Sequence, residues 1–550
     1  MKIAHEIRFM VAICLVGILV TSCFDEKEHI PITFSPSPSF VPGVTSLPVM
    51  YIEMSKDDCD SIHATRNWKS DAFCVIVSSD DKDTLYDGDI SIKSRGHRSW
   101  DRSSKKPYAI QFPKRIKLFD LYEGKKFILL TNFQEPSHIR NAIALDMGRR
   151  FGLAAPKYEY LRLYVNGDYR GLYQMTNKIE PNKSFLYITN LEKENKRING
   201  SSLKKYSIER RGEFTARDLP LCPTDISGGY IVDHHAPRNE ECGFVSYSGR
   251  IIRVKSPEHA SFEEVEYIAS IYNQIERALL APNGVDPLTR KHYSDLIDIS
   301  SFVKNYIINE ILKNCDAGVG SFMLSKDIDS IDGKVYASPI WDFDGYRPGF
   351  SNELFACAKF DIKEGRRVGL LNMLWQHEEF QKQVRHLYVT EFYPYMDSLL
   401  MNKNDDGKWD YHVRTRIAAE TRNDNLRWNR GVDLCDYETD LLYTFLSERI
   451  KFLYWLWTTD PEDVLCMKLE RTDESRTTYI YASKDSGLHL HPQFGINSGT
   501  DVKYYLSGTD IVIPNDTVFF QNVDVTYVRK SLTWYEIQKR KLFRYMKKFF

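Results

Sequence analysis

Two aspartates, Asp342 and Asp344, flank a single phenylalanine in "ASPIWDFDGYRP" at the end of an apolar run. In an extended segment side chains alternate faces, so the two carboxylates should point one way while Trp341 and Phe343 point the other. Two like charges on one face call for a cation. Upstream, "NCDAGVGSF" carries Asp316 in a polar loop directly after an apolar helical pattern. Between the two acidic stretches, "SFMLSKDIDSIDGKVYASPIWDFD" has the alternation of a β-hairpin with its turn at Asp332-Gly333, which would bring Asp316 and Asp342 back together.

Several elements must position these acids. "DISSFVKNYIINEILKN" directs Phe302, Tyr306 and Ile307 to a core and ends at Asn314. "SFEEVEYIASIYNQIERALL" opens with Ser261 and Glu264 in capping-box spacing. "HIRNAIALDMGRRFG" follows Ser137, read as its cap, with Ile139, Ile143 and Met147 on one stripe and Gly152 as the stop. "YLRLYVNGDYRGLYQMT" is a hairpin turning at Asn166-Gly167. From Leu47, "VMYIEM", "FCVIVSS" and "GDISIKS" read as strands. The loop "SRGHRSWDRSSKKPYAIQF" gathers Arg95, His97, Lys105 and Lys106, a set able to cradle an anion.

These pieces resemble one family. "IKSRGHRSW", "KKPYAIQF", "ILLTNFQEPSHIRNAIALDMGRRFG", "VNGDYRGLYQMTNKIE", "GGYIVD", "RVKSPE", "NEILKNCDAG" and "SPIWDFDGY" follow the order of the CotH-type (spore-coat protein H) atypical protein kinases. The resemblance spans roughly Leu47 to Tyr346. It implies that Asp316 is the catalytic carboxylate, that Asp342 is a magnesium ligand, and that Asp344 is a second ligand or an orienter. Arg95, Lys106 and Lys255 match basic positions and are assigned to the nucleotide phosphates. The implied cofactors are ATP and magnesium or manganese, and the implied reaction is phosphoryl transfer to hydroxyl side chains, in which magnesium prefers carboxylate oxygens and the moving phosphoryl group needs surrounding positive charge.

The chain departs from the kinase pattern. Ser321 stands five positions after Asp316, where kinases keep a metal-binding Asn. Asn177 and Asp233 replace Glu, and His97 replaces Asn. The alternatives are therefore a weak pseudokinase, or a non-enzymatic envelope lipoprotein binding a phosphorylated or glycan ligand. A metal-dependent glycosyltransferase ranks behind both, since it accounts for the Asp-x-Asp but not for the Asp316 loop or "KKPY".

The flanks bear on location. Lys2 and Arg8 precede an apolar run from Phe9 to Val20, a secretory signal too short to span a bilayer. It ends in Val20-Thr21-Ser22-Cys23, which resembles the lipobox of bacterial lipoproteins and implies lipidation of Cys23. Acidic residues and then "PITFSPSPSFVPG" follow as an extended tether. The expected place is the bacterial cell envelope, on the periplasmic or surface face of the outer membrane, with exported Ser/Thr-containing proteins as substrates. Nucleic acid is not expected: 74 Lys and Arg against 75 Asp and Glu leave no global field to attract it.

The whole reads as α+β: an atypical two-lobed protein-kinase-like domain followed by a small all-β domain. The expected divisions are a signal peptide at 1–22, a tether at 23–46, the kinase-like domain at 47–460, a β-domain at 465–530 and a basic aromatic helix at 531–550. Cys222 with Cys242, or Cys59 with Cys74, could bridge in an oxidising compartment, although buried free thiols suit the pattern better.

Overall fold

The computed structural model describes residues 45–531 apart from 80–82, 97, 102, 238–239, 315, 319, 346–351, 360–368, 472–475, 491–499 and 515–516. The signal segment, Cys23, nearly all of the tether, His97 and the C-terminal basic segment after residue 531 lie outside the described residues. Among those described, no helix is long and apolar enough to cross a membrane.

Helices and strands are mixed, as an α+β chain requires. Seven strands, β1 (Val49–Glu53), β2 (Lys69–Val77), β3 (Thr84–Ser94), β4 (Tyr108–Ile116), β5 (Gly124–Leu130), β6 (Tyr158–Val165) and β7 (Asp168–Asn177), close into a barrel in the order β1-β2-β3-β4-β5-β7-β6. Closure comes from β1 pairing parallel with β6, Val49 opposite Arg162. The period-2 pattern turns Ile52, Ile76, Ile92, Ile110, Phe127 and Met175 into the barrel. The Asn166-Gly167 turn joins β6 to β7 as the sequence indicates.

A second sheet of seven strands runs β14-β13-β10-β12-β11-β9-β8. Its strands are β8 (Ile208–Arg211), β9 (Phe214–Arg217), β10 (Tyr230–Asp233), β11 (Cys242–Val245), β12 (Ile251–Ser256), β13 (Met323–Lys326) and β14 (Val335–Tyr336). The expected hairpin between the acidic stretches is β13 against β14, with Ser325 opposite Tyr336 and a short helical turn, Asp329–Asp332, between them.

Helices α1 (Arg140–Arg150), α2 (Phe262–Leu280), α3 (Ile299–Leu312), α4 (His412–Arg427) and α5 (Leu434–Thr458) share the largest core with this sheet. The capping box of α2 is complete: Ser261 N–H donates to Glu264 at 2.7 Å and Glu264 N–H to Ser261 Oγ at 3.2 Å. Asp298 caps α3, accepting from Ser301 N–H at 2.7 Å. Helix α1 departs from the sequence reading, because its cap position is Ile139 and makes no side-chain bond. The Glu135 carboxylate does that work instead, accepting from Ser137 N–H at 3.1 Å and Arg140 N–H at 3.3 Å. A carboxylate beside unpaired N–H groups also suits the helix dipole better than a hydroxyl.

A third sheet takes β15 (Glu353–Lys359), β16 (Val464–Arg471), β17 (Arg476–Ser483), β19 (Thr500–Leu506), β20 (Val512–Ile513) and β22 (Val523–Ser531) in the order β15-β17-β16-β22-β19-β20, with β18 (Leu488–His489) paired to β21 (Val518–Phe519) beside it. Strand β15 joins this sheet from the middle of the chain as an edge strand beside β17. Glu310 on α3 accepts from the N–H groups of Phe355 and Ala356, at 2.6 and 2.8 Å, and pairs with the fully buried Arg449 of α5. Cys59, Cys74, Cys222 and Cys242 are free thiols.

A second buried ion pair fixes the barrel to the helices. Lys105, fully buried, donates to Asp424 of α4 at 2.6 Å and to the Leu172 carbonyl at 2.5 Å. Asp424 also accepts from Leu172 N–H at 2.9 Å. The approach demands a glycine at 171, where φ is +103° and a Cβ would lie 2.0 Å from Asp424 Oδ1.

Candidate active site

The acid loop, residues 337–345, is irregular. Asp342 has φ +67°, a left-handed conformation that Asp adopts more readily than most residues. Simple strand alternation therefore does not hold here, yet the two carboxylates still meet. Burial, and then Asp342, whose carboxyl is in hydrogen-bonding contact, raise the Asp344 carboxyl well above the usual range, with further contributions from Asp316 and Glu135. Trp341 and Phe343 are buried on either side.

Two chains of side-chain amides hold this loop. From α3, Asn305 donates to the Ala337 carbonyl at 2.8 Å, Asn309 to Asn305 Oδ1 at 2.6 Å, and Asn314 to Asn309 Oδ1 at 3.1 Å. Asn314 then accepts from the Asp316 N–H at 3.2 Å. From the barrel, Asn132 donates to Gln174 and Asn141 to Asn132, both at 2.9 Å, and Asn141 Oδ1 accepts from Phe343 N–H at 2.7 Å. The barrel, α1 and the acid loop are thus joined by directional bonds, and buried polar groups satisfied in this way resist rearrangement.

The Asp316 loop is gripped from the other side. Arg250 donates to the Gly318 carbonyl at 2.6 Å, with His234 Nδ1 3.0 Å from the same oxygen and Nε2 2.9 Å from the Tyr272 hydroxyl. Burial and the Arg250 charge keep His234 neutral. At residue 320 a Cβ would sit 2.6 Å from Asp316 Cγ, so the missing side chain leaves room for that carboxylate.

The residues singled out from sequence divide into two groups. Asp342 and Asp344 are together, with Asp316 close enough for its charge to act on Asp344. Arg95 lies 5.8 Å from the Trp341 ring centre, next to the acid loop. Lys255 is 3.8 Å from Asp233, which also takes both Nε and Nη2 of Arg253, at 3.0 and 2.5 Å. Burial works against charge on Asp233, but His235, Lys255 and Arg253 outweigh it and hold the carboxyl below its ordinary range. Burial, only partly offset by Asp233 and assisted by Arg253, Arg95 and Lys178, pushes Lys255 down to about 8. Lys106 is elsewhere: its amine donates to the Trp100 carbonyl at 2.5 Å and lies 5.0 Å from that ring's centre, and the charges it feels are Asp101 and Arg66. Lys105 is thus engaged with Asp424 and Lys106 with the Trp100 carbonyl, while the Arg95 N–H donates to the Pro107 carbonyl of the same loop at 3.0 Å.

Sequence reasoning passed over Glu135, Asn132, Asn141, Asn305, Asn309, His234 and Arg250. The four asparagines carried a signal, since Asn305 and Asn309 are four apart on a helix that is otherwise mostly apolar, and Asn132 and Asn141 fall inside one of the family-like stretches. Ser321 and Asn177 also have definite partners: Ser321 Oγ donates to Asp342 Oδ2 at 2.5 Å, and Asn177 bonds both backbone groups of Tyr122.

The oxygen donors suit a hard divalent cation. Among the described residues, no group of three or more His, Cys, Asp or Glu is placed to hold a metal unaided. Magnesium does not need one, because it is usually bound by one or two carboxylates with water and phosphate completing the shell. Asp342 and Asp344 are two carboxylates in contact, the number such an ion uses.

The family model described as CotH kinase protein matches residues 92–453, more than half of the chain. The chain belongs to the CotH kinase family. No curated protein matches it. The CotH match covers the barrel from the last residues of β3 onward, the second sheet, both acidic stretches and α5 as far as Leu453, so the amide chains, the His234–Arg250 grip and the acid pair all lie inside it.

Proposed function

We propose that the protein is an exported, lipid-anchored kinase that moves the γ-phosphoryl group of ATP to Ser or Thr hydroxyls of exported or surface proteins. The observation that carries this reading is the contact of Asp342 with Asp344 beside Asp316, in a loop bordered by Arg95. Magnesium, with ATP, would be held by Asp342 and Asp344 and would supply positive charge against the phosphates. Asp316 takes the proton of the acceptor hydroxyl as its oxygen bonds to the γ-phosphorus and the bond to the β-phosphate oxygen breaks, releasing ADP. Arg95 and Lys255 offset charge on the phosphate oxygens. A two-lobed kinase-like arrangement belongs to this reading, with the barrel as one lobe and the second sheet with its helices as the other. Cys23 would carry the lipid that keeps the chain at the outer membrane.

Transfer of label from γ-³²P-ATP, with magnesium or manganese, to envelope proteins tests it. Asp316→Ala and Asp342→Ala should each abolish labelling, and labelling indifferent to both would remove the site. A second reading, binding without turnover, is favoured by Ser321, whose hydroxyl is engaged with Asp342 where kinases present a metal-binding amide. ATP and metal would then raise the melting temperature while no label moves.

A further inference from the structure

The strand register gathers lysines on the outer wall of the barrel. Across the sheet, Lys93 is opposite Ala109, which is opposite Ile128. One row along, Gln111 is opposite Lys126, whose carbonyl accepts from the Lys178 N–H at 3.2 Å. Ala109 and Ile128 of this face pack against Trp341 of the acid loop. Lys93, Lys126 and Lys178 therefore share one wall beside the proposed site, with Lys126 on β5 and Lys178 directly after the end of the neighbouring β7.

Like charges directly opposite on a sheet are destabilising. Lys178 has relief, with Glu180 at 3.6 Å and Glu258 at 3.7 Å, and its side chain is still one third exposed. Among the described residues no carboxylate lies within ion-pair distance of Lys93 or Lys126. Lys93 lies instead 5.0 Å from the centre of the Trp68 ring, and the Lys178 charge is the largest influence depressing Lys126. Lys178 also acts on Lys255, as does Arg95, so the wall is electrically continuous with the acid loop.

We infer that Lys93, Lys126 and Lys178 form an anion-binding wall that takes the polyphosphate tail of a nucleotide, in place of Lys106, which is engaged at Trp100. The nature of the ligand rests on the kinase reading. Spacing favours a compact polyanion at Lys126 and Lys178, which lie about 5 Å apart across the sheet, whereas acids on one face of an extended peptide recur only about every 7 Å; Lys93, two strands and one row away, would reach the far end of such a chain.

Calorimetry of the full chain in EDTA with inorganic tripolyphosphate, adenosine and a phosphoserine peptide tests this. Tripolyphosphate should bind and weaken with salt. Lys93→Gln and Lys126→Gln should each lower its affinity by about tenfold, the loss of one charged hydrogen bond. Lys126→Arg should keep most of it, and the exposed Lys114→Gln should change nothing. Adenosine binding should be indifferent to all four. Absence of tripolyphosphate binding, binding unmoved by the Gln variants, or lysine-dependent binding of the phosphopeptide alone would overturn the inference. A chain that binds tripolyphosphate through these lysines but transfers no label would keep the wall and lose the kinase reading.

Discussion

Ser321, between the Asp316 loop and β13, donates its hydroxyl at 2.5 Å to Asp342, on the acid loop that follows β14. A position that reads in sequence as a loss is thus tied directly to the first carboxylate of the acid loop. Ser321→Ala leaves that oxygen without its donor. A hydrogen bond to a charged group contributes about 1.5–3 kcal/mol, so the melting temperature should fall by a few degrees, and label transfer should fall by about tenfold or more as Asp342 loses the group that orients it. Transfer assays at saturating magnesium check this.

Asp344→Asn removes one of two carboxylates held in contact. Without divalent ions the variant should melt several degrees higher than the parent at neutral pH, because on folding the raised Asp344 carboxyl must take up a proton that the unfolded chain has released, and the amide need not. The parent should gain stability on adding magnesium and ATP, and the variant should not. Thermal melts with and without the ion separate the two effects.

Lys105 and Lys106 are adjacent in sequence and unequal in the fold. Lys105→Met leaves Asp424 buried without its cation, at a cost of about 3–5 kcal/mol. Denaturant unfolding should show that loss, whereas Lys106→Met, whose partners are a carbonyl and a ring, should lose far less.

Lys255 sets a pH window. Burial and the neighbouring Arg253, Arg95 and Lys178 bring it to about 8 despite Asp233, so nucleotide affinity should decline as pH rises through 8. Lys255→Arg, charged throughout, should flatten the decline. Stability follows the opposite sign: above pH 8 the folded chain has released a proton that the unfolded chain keeps until about 10.4, so this lysine's contribution to stability increases across that interval. Binding titrations and melts from pH 7 to 10 report the two separately.

Local patterns in the chain carried much of this architecture. Asp342 meets Asp344 through a left-handed turn rather than the alternation their spacing suggests, whereas the Asn166-Gly167 hairpin, the Ser261 capping box and the β13–β14 return all follow from short-range rules. Barrel closure did not, because β1 pairs with β6 across more than a hundred residues and no local periodicity encodes a partner. The separate fates of Lys105 and Lys106 were hidden for the same reason, since Asp424 is far away in sequence. Ser137 misled because hydroxyl residues before a helix are common caps, whereas here a carboxylate two positions earlier reaches the free N–H groups.

Strand β15 has a practical consequence. The family match stops at 453, and cropping the chain there would strip β15 of its neighbour β17 while leaving it fastened to α3 through Glu310. The shortened product would present an open, apolar sheet edge and invite self-association. A well-behaved fragment has to retain everything to the end of β22, which makes the terminal strands part of the folding unit rather than an appendage.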